Sequence, residues 1–125
     1  MSPEPPELAT ALIAAINSRD PAELEPLLGP EAEVRTGRSV HAGPEAVIRW
    51  SAREYDNLVK RYEVEELRTR AGRVLALGSV QYVWRDGGEV ADSSPIALEL
   101  DFSAGRLSRL SLHDDAAAAV ASFDG

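Results

Sequence analysis

The stretch Arg73-Val74-Leu75-Ala76-Leu77-Gly78-Ser79-Val80-Gln81-Tyr82-Val83-Trp84-Arg85 reads as one long strand. Successive side chains on a strand point to opposite faces of a sheet. Val74, Ala76, Gly78, Val80, Tyr82 and Trp84 therefore share one face, and Leu75, Leu77, Ser79, Gln81 and Val83 share the other. A strand that is apolar on both faces is buried on both. One cover is the core of the protein itself, and the other is expected to be a second subunit. Gly78 interrupts the run and marks a bend or bulge.

Neighbouring segments continue the same two-residue period. Upstream, Tyr62-Glu63-Val64-Glu65 opens a strand over residues 60–69, turned into the next by Ala71-Gly72. Downstream, Asp86-Gly87-Gly88 is a hairpin signal, followed by a strand over 89–102 with Ile96, Leu98, Leu100 and Phe102 opposite Ala97, Glu99 and Asp101. Pro95 lacks a ladder donor and marks an edge or an irregular point. Ser103-Ala104-Gly105 turns the chain into a last strand over 106–114. Asp115 then caps a short alanine-rich helix through Phe123.

The first half follows a helical period instead. Leu8, Leu12, Ile13 and Ile16 place a helix over 6–18. Asp20-Pro21-Ala22-Glu23 has a cap, a proline at the first helical position and a capping-box acid. Its buried stripe is Leu24, Leu27 and Leu28, and Gly29-Pro30 is its expected stop. Residues 33–36 read as a short strand and 37–43 as a loop holding His41. Pro44 opens a third helix marked by Val47, Ile48, Trp50, Tyr55, Leu58 and Val59. Residues 1–6 read as a flexible arm and 7–125 as one domain. Three helices followed by four alternating strands predict an α+β fold: a strongly curved sheet, closed at one mouth by helices, around an internal apolar pocket.

Composition narrows the function classes. The chain has 125 residues, 44% of them apolar, enough for one core and too few for two. No apolar run approaches the roughly 20 residues that span a bilayer. The acidic, proline-rich start lacks the features of a secretory signal, so a cytoplasmic location is expected. Cysteine is absent, which excludes disulfides and thiolate metal sites. A net charge of −8 with broken basic clusters argues against nucleic acid as a partner. Twelve of the thirteen basic residues are arginine, and Lys60 is the lone lysine.

Several tracts resemble the SnoaL-like branch of the nuclear-transport-factor-2-like superfamily. They are Ala14-Ala15-Ile16-Asn17-Ser18-Arg19-Asp20 with the leucine-rich segment after it, His41-Ala42-Gly43-Pro44-Glu45-Ala46-Val47, Glu65-Glu66-Leu67 with Gly72-Arg73-Val74-Leu75-Ala76-Leu77-Gly78, and Asp115-Ala116 with Ala119-Val120-Ala121. Their order covers nearly the whole chain. The resemblance implies a cone-shaped barrel, a mostly antiparallel sheet wrapped on three N-terminal helices with a pocket inside. It also implies a frequent dimer through the outer face of the sheet. The branch holds cyclases, isomerases, dehydratases and non-catalytic modules, so fold alone does not name an activity. Where cyclases of this branch carry an acid on the last strand, this chain reads Gly105-Arg106-Leu107-Ser108-Arg109-Leu110-Ser111-Leu112, with only His113 following.

Candidate chemistry rests on few residues. His113 has a side chain able to exchange protons near neutrality. If Leu110 and Leu112 face the core, however, His113 points to the outer surface. Glu99 and Asp101 share a strand face about 7 Å apart, a spacing suited to acid/base work, although their companions Ala97 and Ser103 suggest an exposed face. Trp50, Tyr55, Tyr82 and Trp84 are the aromatic candidates for lining the pocket, with His41 at its rim. Asp114 and Asp115 point to opposite sides, so no metal site is expected, and no cofactor is called for.

These features point to a small-molecule pocket protein for an apolar or aromatic compound. Proton transfer of the isomerase, cyclase or dehydratase kind suits such a cavity. The alternative is a non-catalytic dimeric ligand-binding or scaffold module. The doubly apolar strand predicts a homodimer, and light scattering at tens of micromolar should return twice the chain mass; a monomer there would contradict it.

Overall fold

The computed structural model describes residues 4–52 and 57–124. Six strands form one open sheet in the order β2-β1-β6-β5-β4-β3. The chain runs through α1 (Pro5–Ser18), α2 (Pro21–Leu24), β1 (Leu28–Arg35), β2 (Val40–Ala42), α3 (Pro44–Ser51), β3 (Leu58–Arg70), β4 (Arg73–Trp84), β5 (Val90–Ser103), β6 (Arg106–His113) and α4 (Ala116–Asp124). β3 to β6 form an antiparallel meander, and β1 joins it by parallel pairing with β6. The first three helices precede or interrupt the sheet, as expected, and the sheet is curved but not closed.

Curvature has a visible cause. Register slips interrupt four of the five ladders, between Leu28 and Glu33, Val64 and Glu66, Tyr82 and Val83, and Asp101 and Phe102. Each extra residue bends its strand and increases the local twist. At the second slip, Gly78 lies so close to β3 that a Cβ there would collide with the Glu63 carbonyl oxygen. Gly78 is therefore the bend its place in the sequence indicated. Pro95 also fits its reading, because β6 pairs with β5 only as far as Ala97 and leaves Pro95 a neighbour on one side alone.

The concave face carries the main core. Ala9, Leu12, Ile13 and Ile16 of α1 pack on Tyr62, Val74, Ala76, Leu98 and Leu100. Fully burying one such leucine contributes about 2 kcal/mol. Asn17 fixes the helix to the sheet's edge: its amide donates to the Tyr62 carbonyl at 2.9 Å and accepts from the Tyr62 N–H at 2.8 Å. That side chain thus takes the place of a neighbouring strand at one point of β3.

Several boundaries differ from the sequence reading. α1 begins one residue before the expected Pro6, so Pro5 of the expected arm joins the first turn, where a missing N–H does no harm. Asp20 caps α2 through the Ala22 N–H as anticipated. The helix nevertheless ends at Leu24, continues as one 3-10 turn over Glu25–Leu27, and gives way to β1 at Leu28. Gly29-Pro30 lies within that strand, not at a helix stop. His41 sits on β2 paired with Val34, not in a loop. α3 ends at Ser51, and Leu58 and Val59 belong to β3. The apolar marks of a helix and of a strand cannot be told apart over so short a run.

The outer face holds the main correction. Leu75 and Ala97 are fully buried there by Ala119 and Phe123 of α4, with Leu77, Ala116 and Val120 packed alongside. The cover over this part of β4 is the chain's own last helix, not a second subunit. Asp115 starts α4 by accepting from the Ala118 N–H, and Arg70 donates to the Phe123 carbonyl at its other end.

Replacing Gly78 with alanine should lower the unfolding free energy by at least about 2 kcal/mol, since backbone has to move to admit the methyl group. Ser79→Ala, one residue on, should cost less than about 1 kcal/mol. Urea titration of both variants checks the contrast.

Candidate functional site

Alternation and register decide which side chains lie on the concave face of the sheet. Val34 and Tyr62 are core residues of the concave side. His41 is the register partner of Val34, and Lys60 is that of Tyr82, so both sit on concave-facing positions. α3 adds Trp50, which is 5% exposed. The rings form a short column: His41 lies 6.5 Å from Trp50, and Trp50 stacks on Tyr62 at 6.4 Å. Lys60 Nζ stands 4.8 Å from the Trp50 ring centroid. His41 Nε2 meets the Ser39 hydroxyl at 3.1 Å, which holds the ring in place. Tyr82 packs at the margin of the same core.

Trp50 and Tyr62 are each 5% exposed, so the column is packed into the core, with His41, Lys60 and Tyr82 at its margin. Of the aromatic residues singled out in the sequence, Trp50 and Tyr82 belong to this group, and His41 stands beside it. Tyr55 lies outside the described residues. Trp84 sits at the hairpin end of β4, is 44% exposed, and stands apart from the column. Lys60 and Tyr62 were not anticipated as lining residues. Their spacing of two, with Tyr62 on the apolar face of its strand, was the available signal.

The three acid/base candidates are elsewhere. Glu99, Asp101 and His113 alternate with the buried Leu98 and Leu100 and the half-buried Leu112, and so occupy the outer face. Asp101 is in register with both Arg73 and Arg109. Its Oδ1 is buried and has no hydrogen-bond partner among the described residues, and the same holds for His113 Nε2. Glu99 and His113 border a cleft of about 430 Å³ beside α4, together with Asp115 and Ala118. Neither carboxylate reaches the concave side.

Charge elsewhere on the outer face is arranged in surface pairs. Glu33 bridges Arg35 and Arg109, at 3.0 and 3.1 Å. Arg68 joins Glu66 and Asp124, and the Glu66 hydrogen bond and charge raise its already high pKa. Among the described residues no three His, Asp or Glu side chains gather as metal ligands, and no helix is long and apolar enough to cross a membrane.

Solved structures share this fold. A putative SnoaL-like polyketide cyclase from Shewanella denitrificans OS-217 superposes with a TM-score of 0.75 at 14% identity, covering 96% of each chain. The fold is nuclear-transport-factor-2-like, of the SnoaL-like kind. A nuclear-transport-factor-2-like protein of unknown function from Cytophaga hutchinsonii ATCC 33406 gives 0.74 at 12% identity, covering 96% of this chain and 97% of that one. TerC co-crystallised with polyporic acid gives 0.72 at 17%, covering 97% and 98%. At such identities the likeness concerns the fold alone. No family model and no curated protein matches the sequence.

The two tryptophans should report the difference between the buried core and the exposed end of β4. Trp84→Phe leaves only the buried Trp50, so its emission should shift to the blue and resist acrylamide. Trp50→Phe should leave an emission red-shifted and readily quenched. Equal quenching in the two variants would place Trp50 in water.

Proposed function

We propose that the protein binds a small apolar or aromatic molecule against the concave wall formed by Trp50, Tyr62 and Tyr82, beside His41. The observation that carries this reading is the ring column at 6.4–6.5 Å spacing on the concave side of a bent sheet. Aromatic stacking of this sort contributes about 0.5–1.5 kcal/mol per ring beyond simple burial. Solved neighbours of the same fold include a protein co-crystallised with polyporic acid and another in complex with trimethylamine. Both are consistent with a fold that accommodates small molecules.

Binding is favoured over carboxylate catalysis because Glu99 and Asp101 stand on the far side of the sheet. A second reading, proton transfer on the bound compound, has one group of suitable chemistry in place. His41 lies on the concave face with its Nε2 engaged by the Ser39 hydroxyl, and a histidine side chain is able to act as acid or base. A homodimer would use the outer face beyond α4, around Arg61, Ser79 and Gln81, which the single chain leaves half-exposed.

Phenylnaphthylamine, a neutral aromatic dye, tests the site. Tyr82→Ala should weaken its binding about three- to tenfold. Glu99→Gln, Asp101→Asn and His113→Gln should change it less than about twofold, because they sit behind the sheet. Loss of binding in those three variants, with none in Tyr82→Ala, would move the site to the cleft beside α4.

A further inference from the structure

The turn between β1 and β2 sets two hydroxyls and an imidazole in a row. Thr36 Oγ1 lies 3.0 Å from Ser39 Oγ, and Ser39 Oγ lies 3.1 Å from His41 Nε2. Thr36 Oγ1 also accepts from the N–H groups of Arg38 and Ser39, at 3.2 and 3.0 Å. A hydroxyl oxygen has two lone pairs and one proton. Backbone takes both lone pairs of Thr36, and its proton is left to the oxygens of Ser39. Ser39 therefore cannot donate to Thr36, and the acceptor within reach of its own proton is His41 Nε2.

The imidazole is held from two sides, by pairing of His41 with Val34 and by the Trp50 ring 6.5 Å away. Ser39 itself is exposed, so a small molecule reaches its oxygen without displacing packed side chains. A serine hydroxyl is a weak nucleophile until an adjacent base takes its proton. We propose that Ser39 is an acyl-acceptor site: His41 removes the proton, and an activated acyl donor such as an aryl ester supplies the acyl group. Thr36 acts as a positioning residue by directing the Ser39 proton. The site needs only these residues and does not rest on binding at the concave wall.

In the transfer, Ser39 Oγ bonds to the ester carbonyl carbon while its proton passes to His41 Nε2. The bond from that carbon to the phenol oxygen breaks, and the phenolate leaves with the electron pair and takes up that proton. Water then attacks the seryl ester, Ser39 regains a proton and the carboxylic acid departs. The Arg38 and Ser39 N–H groups are committed to Thr36, so neither steadies a charged carbonyl oxygen. Acylation should thus reach about one equivalent and be released slowly, with little turnover.

Para-nitrophenyl acetate tests this, read by nitrophenol release and by mass spectrometry of proteolytic peptides. In wild-type protein Ser39 should gain acetyl at least about tenfold faster than the exposed Ser93 and Ser103, which bond to no histidine among the described residues. Ser39→Ala should abolish the fast release of nitrophenol, and His41→Gln should slow acetylation of Ser39 at least about tenfold. Equal labelling of the three serines, label at Lys60 in place of Ser39, or an unchanged rate in His41→Gln would overturn the proposal. Should a variant fail to fold, the peptide map of wild-type protein decides alone.

Discussion

A sheet this bent requires a place where two backbones approach more closely than a side chain permits. Gly78 supplies it. Because it has no Cβ, β4 can press against the Glu63 carbonyl while β3 bulges past it. The bend turns a flat apolar surface into a concave one, and α1 fits only a concave one. The ring column depends on it in turn, since Tyr62 and Trp50 meet only if β3 curls toward α3. Steric room at one position thus precedes hydrophobic packing in the order of causes, although packing contributes far more free energy.

Asn17 completes what the bend begins. β3 is an edge strand, and such strands leave a row of unpaired donors and acceptors. One amide side chain engages both groups of Tyr62, so the helix is held in register with the sheet as well as pressed upon it. Beyond that point the edge carries Glu63, Glu65 and Glu66, whose charge discourages pairing with another strand. The same edge of the sheet is therefore locked where it meets α1 and guarded beyond that point.

Much of this architecture was legible in the chain, for reasons that differ by element. The meander from β3 to β6 was readable because long strands repeat their period and their turns carry glycine. Asp20 and Asp115 announced their helices because capping is a local event. The segment from Glu25 to Ala32 was misread because leucines three and four apart fit a helix, while the ladder with β6 that makes most of it a strand lies far away in sequence. The outer face was assigned to a partner because apolarity shows that something covers a surface, not what covers it. The concave wall was half legible: Trp50, Tyr82 and His41 stood out as aromatic or titratable. Lys60 and Tyr62 gained meaning only from register with β4.

The parallel ladder between β1 and β6 has a consequence for how the chain assembles. Glu33 and Arg109 meet there from positions 76 residues apart. Closing so long a loop costs on the order of 3 kcal/mol more entropy than a tight turn does. The hairpins among the later strands meet no such obstacle and are locally encoded. Topology of this kind favours a meander that can collect on its own and a first strand that docks late, so the wall bearing His41 is expected to be the last side of the bowl to be raised.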